Sequence, residues 1–322
     1  MNNILITSAG RRVSLTRAFK TELQKIYPDS KVFVSDAAPE LSSAAQIADK
    51  AFKLPLVTDV KYTDVLITLC KENNIKIIIP TIDPELPVLA ENYQKFVDNG
   101  IYPIISSAGL IANCNDKRKT HSFFETKDIN YAKEYSRDNY TFPFFIKPID
   151  GSSSRDLYII KEKEDLSKDL IENEKLLFLK YYPKDEHDEY TCDLYYDKNH
   201  NLKCIVPRKR IEIRGGEVSK GLTRKNILVD YISERLHHIE GARGCLTFQF
   251  FLNHKTNDII GIEINARFGG GYPLSYLAGA NYPAWIIKEY LLEERIKEFD
   301  EWKDNLLMLR YDSEILVENF YE

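Results

Sequence analysis

The segment IEINARFGGG, residues 262–271, places polar side chains of three chemical types at alternate positions. In a β-strand, successive side chains point to opposite faces, so Glu263, Asn265 and Arg267 would share one face. The intervening Ile and Ala residues would share the other face, which suits a hydrophobic core. The strand would place a carboxylate, a carboxamide and a guanidinium within about 14 Å of one another. Such a set of side chains can bind a metal ion and an anion.

The preceding segment CLTFQFFLN, residues 245–253, is predicted to be the first strand of a hairpin. If KTN forms a three-residue loop, Gln249 lies opposite Glu263, and the oxygens of Gln249, Glu263 and Asn265 converge. Hard cations prefer oxygen ligands, so Mg²⁺, or Mn²⁺ in its place, is the expected metal. The glycines 269–271 would let a ligand approach the backbone. A solvated hairpin face is the competing interpretation.

A second motif, FPFFIKPIDGSSSRD, is typical of an anion site. Lys147 ends an apolar strand, and the following turn contains Ser152 and Ser153, whose backbone amides could cradle phosphate oxygens. A lysine in this position supplies a point charge for a phosphate. The spacing is not that of a P-loop, because no Gly-Lys-Ser/Thr follows, and a surface lysine beside a serine turn is the alternative.

The stretch DEYTCD and the basic strand PRKRIEIRGGEVSKGLTRK carry further candidates. Glu189 opens a strand after a polar loop, where a carboxylate could bind ribose hydroxyls. Arg208 and Arg210 would share one strand face, and arginine suits binding of a carboxylate or phosphate, so an anionic substrate is indicated. Residues 214–223 are predicted to be a mobile loop that orders over the reacting groups.

The composition is that of a soluble globular protein of about two domains. The chain has 322 residues and a formal charge of -5, which argues against nucleic acid as the main partner. No apolar run reaches the length of a bilayer span, and the amino terminus lacks the pattern of a secretory signal, so no membrane association and a cytoplasmic location are expected. The five scattered cysteines are predicted to be reduced thiols.

The order of predicted elements positions these motifs. Residues 1–110 alternate apolar strands with helical periods, which predicts a doubly wound α/β domain with a parallel sheet. Its ligand crevice should lie at the carboxyl ends of the strands, at SAGRR, SDAAPE and PTIDPEL, where Asp83 and Glu85 could bind a substrate amine. Residues 111–187 form a small α+β unit, and residues 188–322 form an antiparallel sheet with short turns and a final helical part.

Taken in this order, the motifs resemble the ATP-grasp family, in the branch similar to the large subunit of carbamoyl-phosphate synthase. The resemblance runs from GRR and IPTIDPELPVLAE to GIEINARFGGGYPLS. It implies a fold in which a pre-ATP-grasp domain precedes a two-part α+β ATP-grasp domain. The resemblance also implies a role for each candidate residue. The ATP phosphates would be bound by Lys117, Lys147, Ser152 and Ser153, adenine by the segment from Lys180 to Tyr182, and ribose by Glu189. Magnesium would be held by Gln249, Glu263 and Asn265, and the transferred phosphate by Arg210 and Arg267.

The resemblance implies an ATP- and Mg²⁺-dependent ligase. Such an enzyme activates a small-molecule carboxylate as an acyl phosphate and joins it to an amine, releasing ADP and phosphate. The alternatives are phosphoryl transfer that forms carboxyphosphate or carbamoyl phosphate on the same fold, and a non-catalytic nucleotide-binding protein. A dinucleotide oxidoreductase is disfavoured, because SAGRRVS lacks Gly-x-Gly-x-x-Gly. A homodimer is compatible with these expectations.

Overall fold

The computed structural model describes residues 1–149, 157–318 and 320, and the strands of this part of the chain form three sheets. None of the helices in these ranges combines the length and the apolar character that a membrane crossing requires.

The first sheet is built from short strands. In chain order they are β1 (Asn3–Thr7), β2 (Val32–Asp36), β3 (Lys50–Lys53), β4 (Ile75–Pro80) and β5 (Tyr102–Pro103). Of these, β1, β2 and β4 are apolar and largely buried, whereas the edge strand β3 is more exposed. Across the sheet the strands run β3-β2-β1-β4-β5, and every pairing is parallel. The predicted doubly wound parallel sheet is therefore confirmed.

Helices cover both faces of this sheet. They are α1 (Val13–Ile26), α2 (Ser43–Ile47), α3 (Tyr62–Glu72), α4 (Glu85–Glu91) and α5 (Tyr93–Asp98). The apolar residues of α1 and α2 pack with Ile4 and Ile6 on one face, whereas those of α3, α4 and α5 pack with Leu5 and Ile78 on the other. Alternate residues of one strand thus serve two cores, as expected for a strand between two helical layers.

The strand order of this sheet reverses between β1 and β4. The chain runs outward from β1 through β2 to β3, and then returns to add β4 and β5 on the other side. The loops that follow β1 (residues 8–12) and β4 (residues 81–84) therefore flank the topological switch point, where open α/β sheets bind their ligands.

A small antiparallel sheet follows. Its strands are β6 (Glu134–Tyr135), β7 (Phe144–Pro148), β8 (Tyr158–Ile160) and β9 (Leu176–Lys180), in the order β6-β9-β7-β8. The helices α6 (Ala108–Asn115) and α7 (Lys117–Thr126) precede it, and α8 (Lys168–Glu172) lies within it. Asp116 starts α7 because its side chain accepts hydrogen bonds from the backbone N–H groups of Arg118 and Lys119.

The largest sheet is antiparallel and completes the fold. Its strands are β10 (His187–Tyr196), β11 (Leu202–Arg214), β12 (Glu217–Thr223), β13 (Gly244–Asn253), β14 (Ile259–Asn265) and β15 (Leu307–Leu309), in the order β14-β13-β10-β11-β12-β15. The helices α9 (Ile227–Leu236), α10 (Tyr272–Ala278) and α11 (Tyr282–Leu291) accompany it. The predicted antiparallel region is confirmed, although a strand and a helix stand between β11 and β13 where a glycine-containing loop was expected.

The prediction of a loop at residues 214–223 is wrong, whereas the predicted movement of this segment over the reacting groups stays a prediction. The segment forms the end of a regular hairpin, in which β12 pairs with β11 on one side and with β15 on the other. The turn consists of Gly215 and Gly216, whose φ angles of 57° and 77° suit a tight two-residue hairpin turn. Gly215 and Gly216, which suggest flexibility in the sequence, therefore form a tight turn of defined shape.

The hairpin of β13 and β14 differs from the expected one near its turn. Its loop is one residue longer, because the backbone N–H of Asn253 donates to the carbonyl of Asp258. The pairing register shifts by one residue between Gln249 and Phe250, which leaves Ile262 as a bulge on β14. The bulge restores the predicted pairing of Gln249 with Glu263, and without it Gln249 would face Ile262.

A buried ion pair joins the elements of the largest sheet. Arg208 on β11 donates from Nε and Nη2 to the two carboxylate oxygens of Asp193 on β10, at 2.7 and 2.9 Å. Ser275 on α10 donates to the same carboxylate at 2.6 Å, and both charged residues are at most 1% exposed. The expectation that Arg208 receives an anionic substrate is therefore wrong, since its guanidinium is bound to Asp193 inside the protein.

This pair predicts a large loss of stability when one charge is removed. In Asp193→Asn, the Arg208 charge stays buried with a weaker partner, so the free energy of unfolding should fall by about 3 kcal/mol in urea denaturation. Asp64→Asn is the matched control, because Asp64 pairs with Lys95 at an exposed site, and its change should stay below about 0.5 kcal/mol. Equal changes in the two variants would contradict the assigned role.

Candidate functional site

Glu263 lies at the centre of a half-buried polar cluster near the end of β14. Its Oε1 atom accepts hydrogen bonds from Nε2 of Gln249 at 2.5 Å and from Nδ2 of Asn265 at 3.1 Å. The cross-strand pairing presents Gln249, and the alternation along β14 presents Asn265 on the same face. The three residues predicted to hold the metal thus lie in contact.

Arg210 extends this cluster onto β11. Its Nη1 atom donates to Oε1 of Glu189 at 2.6 Å and to Oε1 of Gln249 at 2.7 Å. Burial raises the pKa of the Glu189 carboxyl, with a contribution from Glu263, although Arg210 opposes the change. The residue predicted to bind ribose and the one predicted to bind the transferred phosphate are therefore paired with each other in this structure.

Arg267 connects the cluster to the first sheet. It lies two residues beyond the end of β14, and its Nη2 atom donates to Oδ2 of Asp83 at 2.5 Å and to Oδ1 of Asn265 at 3.3 Å. Asp83 belongs to the loop after β4, so the contact reaches the switch point of the parallel sheet. Glu85, the other suggested amine ligand, is fully buried and accepts hydrogen bonds from Tyr62 and Ser8.

Lys147 and Lys117 approach the cluster from the small sheet. Lys147 is only 7% exposed, and its Nζ atom lies 3.5 Å from the carbonyl oxygen of Ile262, the bulged residue. Nζ of Lys117, the first residue of α7, lies 3.4 Å from the carbonyl oxygen of Ile149. Burial lowers the pKa of Lys147 to about 8; Glu263 opposes this change and Lys117 adds to it.

A glycine fixes α7 against β14, and so places Lys117 beside the cleft. A Cβ atom on Gly261 would stand 2.6 Å from the ring of Phe124, a buried residue of α7. The backbone N–H of Gly261 also donates to the carbonyl of Asn130 at 2.6 Å. Only glycine permits this close approach of helix and strand.

The adenine-binding candidates lie at the other end of the small sheet. The backbone N–H of Lys180 donates to the carbonyl of Lys133 at 2.9 Å, and the Lys180 ammonium lies 5.3 Å from the ring centroid of Tyr182. Tyr182 itself stacks on Phe251 of β13. In the described ranges, no hydrogen bond or ion pair joins Lys180 or Tyr182 to the Glu263 cluster. Ser152 and Ser153 lie outside the described residues.

His121 is a neighbour of this cluster that the sequence interpretation missed. It lies on α7, stacks on Tyr131, and its pKa is lowered to about 4 by burial and by the charge of Lys147. The ring is therefore neutral at physiological pH. A single histidine within a helix of mixed composition gives no signal that could have revealed this position.

A second charged group lies beside the first, and its members were not predicted as a set. Glu217, the first residue of β12, accepts a hydrogen bond from Arg310 at 3.0 Å and forms ion pairs with Arg12 at 3.0 Å and with Arg11 at 3.6 Å. Arg12 follows β1, whereas Arg310 follows β15, so they are far apart in sequence. GRR was the only part of the group that the sequence placed at the crevice.

The three glycines after Arg267 receive side chains of the protein itself. A Cβ atom on Gly269 would meet Thr247, one on Gly270 would meet Glu217 and Arg12, and one on Gly271 would meet Arg208. The glycines therefore leave room for side chains of the protein itself, and admission of a ligand to this backbone stays a prediction.

The arrangement suits a nucleotide phosphate and a hard cation. In the described part of the chain, Nε of Arg210 and Nε of Arg267 are buried without a hydrogen-bond partner, which is costly unless an acceptor arrives. Among the described residues, Nζ of Lys147 has only a long contact to a carbonyl. Oxyanions would satisfy these donors, and the oxygens of Glu263, Gln249 and Asn265 match the preference of Mg²⁺.

Two protein families match this sequence. Residues 4–105 match the family described as PylC-like, N-terminal domain, and residues 172–311 match the family described as ATP-grasp in the biosynthetic pathway with Ter operon. No curated protein matches the chain significantly.

Several solved structures share the fold at low sequence identity. The biotin carboxylase domain dimer of Hydrogenobacter thermophilus 2-oxoglutarate carboxylase, solved with MgADP, ADP and bicarbonate, has a TM-score of 0.70 at 14% identity over 94% of this chain and 73% of that one. Staphylococcus aureus N5-carboxyaminoimidazole synthetase, complexed with ADP, has a TM-score of 0.68 at 15% identity over 93% and 78%.

An L-amino acid ligase from Bacillus licheniformis has a TM-score of 0.66 at 17% identity, covering 90% of this chain and 74% of that one. TM-scores in this range establish a common fold. The two matched regions confirm the ATP-grasp resemblance found in the sequence: residues 4–105 are similar to a PylC-like N-terminal domain and residues 172–311 to an ATP-grasp domain.

Proposed function

We propose that this protein is an ATP- and Mg²⁺-dependent ligase that joins a small-molecule carboxylate to an amine. The observation that carries the proposal is the junction at Glu263, where three oxygen-bearing side chains meet the buried cations Lys147, Arg210 and Arg267. ADP and magnesium in the fold neighbours, and the ligase activity named for one of them, support the same conclusion.

The chemistry explains why such a cleft needs this charge pattern. A carboxylate is a poor electrophile, and phosphoryl transfer from ATP converts it into an acyl phosphate that an amine can attack, with phosphate as the leaving group. The transfer depends mainly on positioning and charge neutralisation. Mg²⁺, when bound, would neutralise the phosphate oxygens, and Glu263, Gln249 and Asn265 would hold it.

The protein's own residues would act as follows. Lys147 and Lys117 would hold ATP phosphates from the side of the small sheet. Arg267 would hold the transferred phosphoryl group, since its unpartnered Nε lies next to the metal ligands. Arg210 would exchange its contact with Gln249 for one with the phosphoryl oxygens, while its second partner, Glu189, is released toward the ribose hydroxyls.

The expected reaction distinguishes the ligase from the alternatives. A ligase should release phosphate from MgATP only when both a carboxylate and an amine are present, because the acyl phosphate requires a nucleophile. Pools of amino acids, hydroxy acids and amines should therefore be tested singly and in pairs. Phosphate release with bicarbonate alone would favour carboxyphosphate formation, and ATP binding without release in any pool would favour a non-catalytic protein.

Lys147→Ala should weaken binding of a nonhydrolysable ATP analogue about tenfold or more. The substitution removes a buried cation that would form a charge-assisted hydrogen bond with a phosphate. Isothermal titration measures the affinity, with Lys95→Ala as the control, because Lys95 is an exposed lysine paired with Asp64. Unchanged affinity in both Lys147→Ala and Lys117→Ala would refute the placement of ATP.

The affinity for the same analogue should fall about tenfold between pH 7 and pH 9. The pKa of Lys147 is about 8 in the protein without nucleotide, so the binding form, which is protonated, predominates below pH 8 and is lost as the pH rises. At pH 9 about one-tenth of the lysine would be charged. In Lys147→Arg the charge persists, so the pH dependence should flatten, and an equal slope in both proteins would exclude Lys147 as its source.

Glu263→Gln should lower ATP turnover about a hundredfold and raise the Mg²⁺ concentration needed for half-maximal rate. The substitution keeps the shape of the side chain but removes a preorganised charge, which costs about 3 kcal/mol in the transition state. Phosphate release across a Mg²⁺ titration measures both quantities.

Thermal melting of Glu263→Gln should be close to that of the parent, because Ile264 and Ala266 still bury the apolar face of this segment. Glu294→Gln, at an exposed position, is the control. If Glu263→Gln shows parental turnover and Mg²⁺ dependence, the metal site is assigned incorrectly.

A further inference from the structure

We propose that the carboxylate substrate carries a second anionic group, and that this group binds between Arg12 and Arg310 in place of the Glu217 carboxylate. The inference rests on the proposed ligase function and adds the chemical class of the substrate. It is drawn from the arginine group around Glu217, which consists of Arg11, Arg12 and Arg310.

Positive charge is in excess around Glu217. Three guanidinium groups share the single carboxylate of Glu217, and the neighbouring Arg267 is paired with Asp83. Four arginines therefore face two carboxylates. Burial lowers the pKa of the Arg12 guanidinium; Glu217 opposes this change, and the charges of Arg267, Arg310 and Arg11 add to it. Such repulsion between like charges is relieved when another anion arrives.

The guanidinium groups of Arg12 and Arg310 are suitably placed to donate to such an anion. The side chain of Arg12 is 19% exposed and that of Arg310 is 30% exposed, so both are held by the protein yet open to the cleft. Arg310 also donates to the carbonyl of Gly270. A Cβ atom on Gly270 would stand 2.7 Å from Nη1 of Arg12, so the glycine keeps open the volume in which the carboxylate of Glu217 now lies.

The carboxylate of Glu217 can be replaced by the anionic group of a substrate. Glu217 is the first residue after the Gly215–Gly216 turn, and its side chain is 21% exposed. Burial would raise the pKa of its carboxyl, but Arg12 and Arg310 outweigh this effect and the pKa is lowered. A substrate anion that took its position would leave the arginines paired, while Glu217 could turn toward solvent at the end of the hairpin.

The arginine group around Glu217 lies near the proposed reacting centre at Arg267. Arg12 belongs to the loop after β1 and Asp83 to the loop after β4, so the two lie on opposite sides of the switch point. Arg267 contacts Asp83, and its positive charge contributes to lowering the pKa of Arg12. A molecule whose reacting carboxylate lies at Arg267 would therefore direct its other end toward Arg12 and Arg310.

The competing interpretation is a permanent ion-pair network that holds the hairpin against the first sheet. It makes different predictions for Glu217→Gln. If Glu217 occupies an anion site, its removal should raise the affinity for a dianion about tenfold, because the internal competitor is lost. If the network only joins the two parts, the same variant should melt earlier and bind anions no better than the parent.

The probes are dicarboxylates of increasing length, namely succinate, glutarate and adipate, each compared with the monocarboxylate of the same chain length. The acid 4-phosphonobutyrate tests a phosphonate as the second group. Binding is measured by isothermal titration without ATP or Mg²⁺. We expect at least one dianion to bind about tenfold more tightly than its monocarboxylate counterpart, and the preferred member distinguishes a carboxylate from a phosphate-like second group.

Arg12→Gln and Arg310→Gln should each remove this preference, whereas Arg310→Lys should retain part of it. Arg224→Gln is the matched control, since Arg224 is an exposed arginine that contacts Asn305. Circular dichroism and thermal melting establish that each variant is folded. No preference for any dianion in the parent, or an undiminished preference in both glutamine variants, would overturn the proposal.

This outcome is separate from the fate of the ligase proposal. Failure of the ligase proposal would appear as absent binding of the ATP analogue or absent phosphate release. Failure of the anion site would appear as equal binding of mono- and dianions by a protein that still binds ATP.

Discussion

The charged groups of the cleft are held in place by partners that the protein itself supplies. Glu263 accepts from Gln249 and Asn265, Arg210 donates to Glu189 and Gln249, and Arg267 donates to Asp83. Charges at this degree of burial are costly when unpaired, so the cleft can exist without ligand only because its cations and anions neutralise one another. The same pairing preorganises the side chains, because each is held near the position in which it would meet a phosphate or a metal ion.

Two kinds of charged pair occur in the large sheet, and their surroundings separate their roles. Asp193 and Arg208 are inaccessible, have additional partners from Ser275 and Thr247, and hold β10, β11 and α10 together. Arg210, two residues further along the same strand face, is near the cleft and keeps one unpartnered nitrogen. Among the described residues Arg208 also keeps one buried nitrogen without a partner, so accessibility rather than spare donors separates the two arginines. The pair sealed inside the sheet stabilises the fold, whereas the donor beside the cleft can serve a ligand.

The cleft also depends on elements from all three sheets. The parallel sheet supplies Arg12 and Asp83 at its switch point, the small sheet supplies Lys147, and the large sheet supplies the Glu263 cluster. The bulge at Ile262 is central to this convergence, because it aligns Gln249 with Glu263 and presents a carbonyl to Lys147. Bulges are common beside active sites for this reason, since one added residue redirects the side chains and carbonyls that follow.

The sequence by itself determined the fold class and most of the polar cluster. Apolar strand runs alternating with helical periods predicted the parallel sheet, and the alternation in IEINAR predicted that Glu263 and Asn265 share a face, because these patterns follow from the local geometry of strands and helices. The pairing of Gln249 with Glu263 was predicted correctly but from an incorrect loop length, since a compensating bulge leaves no pattern in the residues.

Only the tertiary structure decided which charges meet. Arg208 and Arg210 look equivalent in the strand, yet one is bound to Asp193 and the other lies at the cleft. The sequence drew attention to glycines 269–271 but could not say that Glu217, Arg12 and Arg208 would pack against them. Arg12, Glu217 and Arg310 come from three distant parts of the chain, and their convergence depends on how the sheets pack. Long-range contacts of this kind are set by burial and by charge balance in the assembled core, which no local spacing of residues encodes.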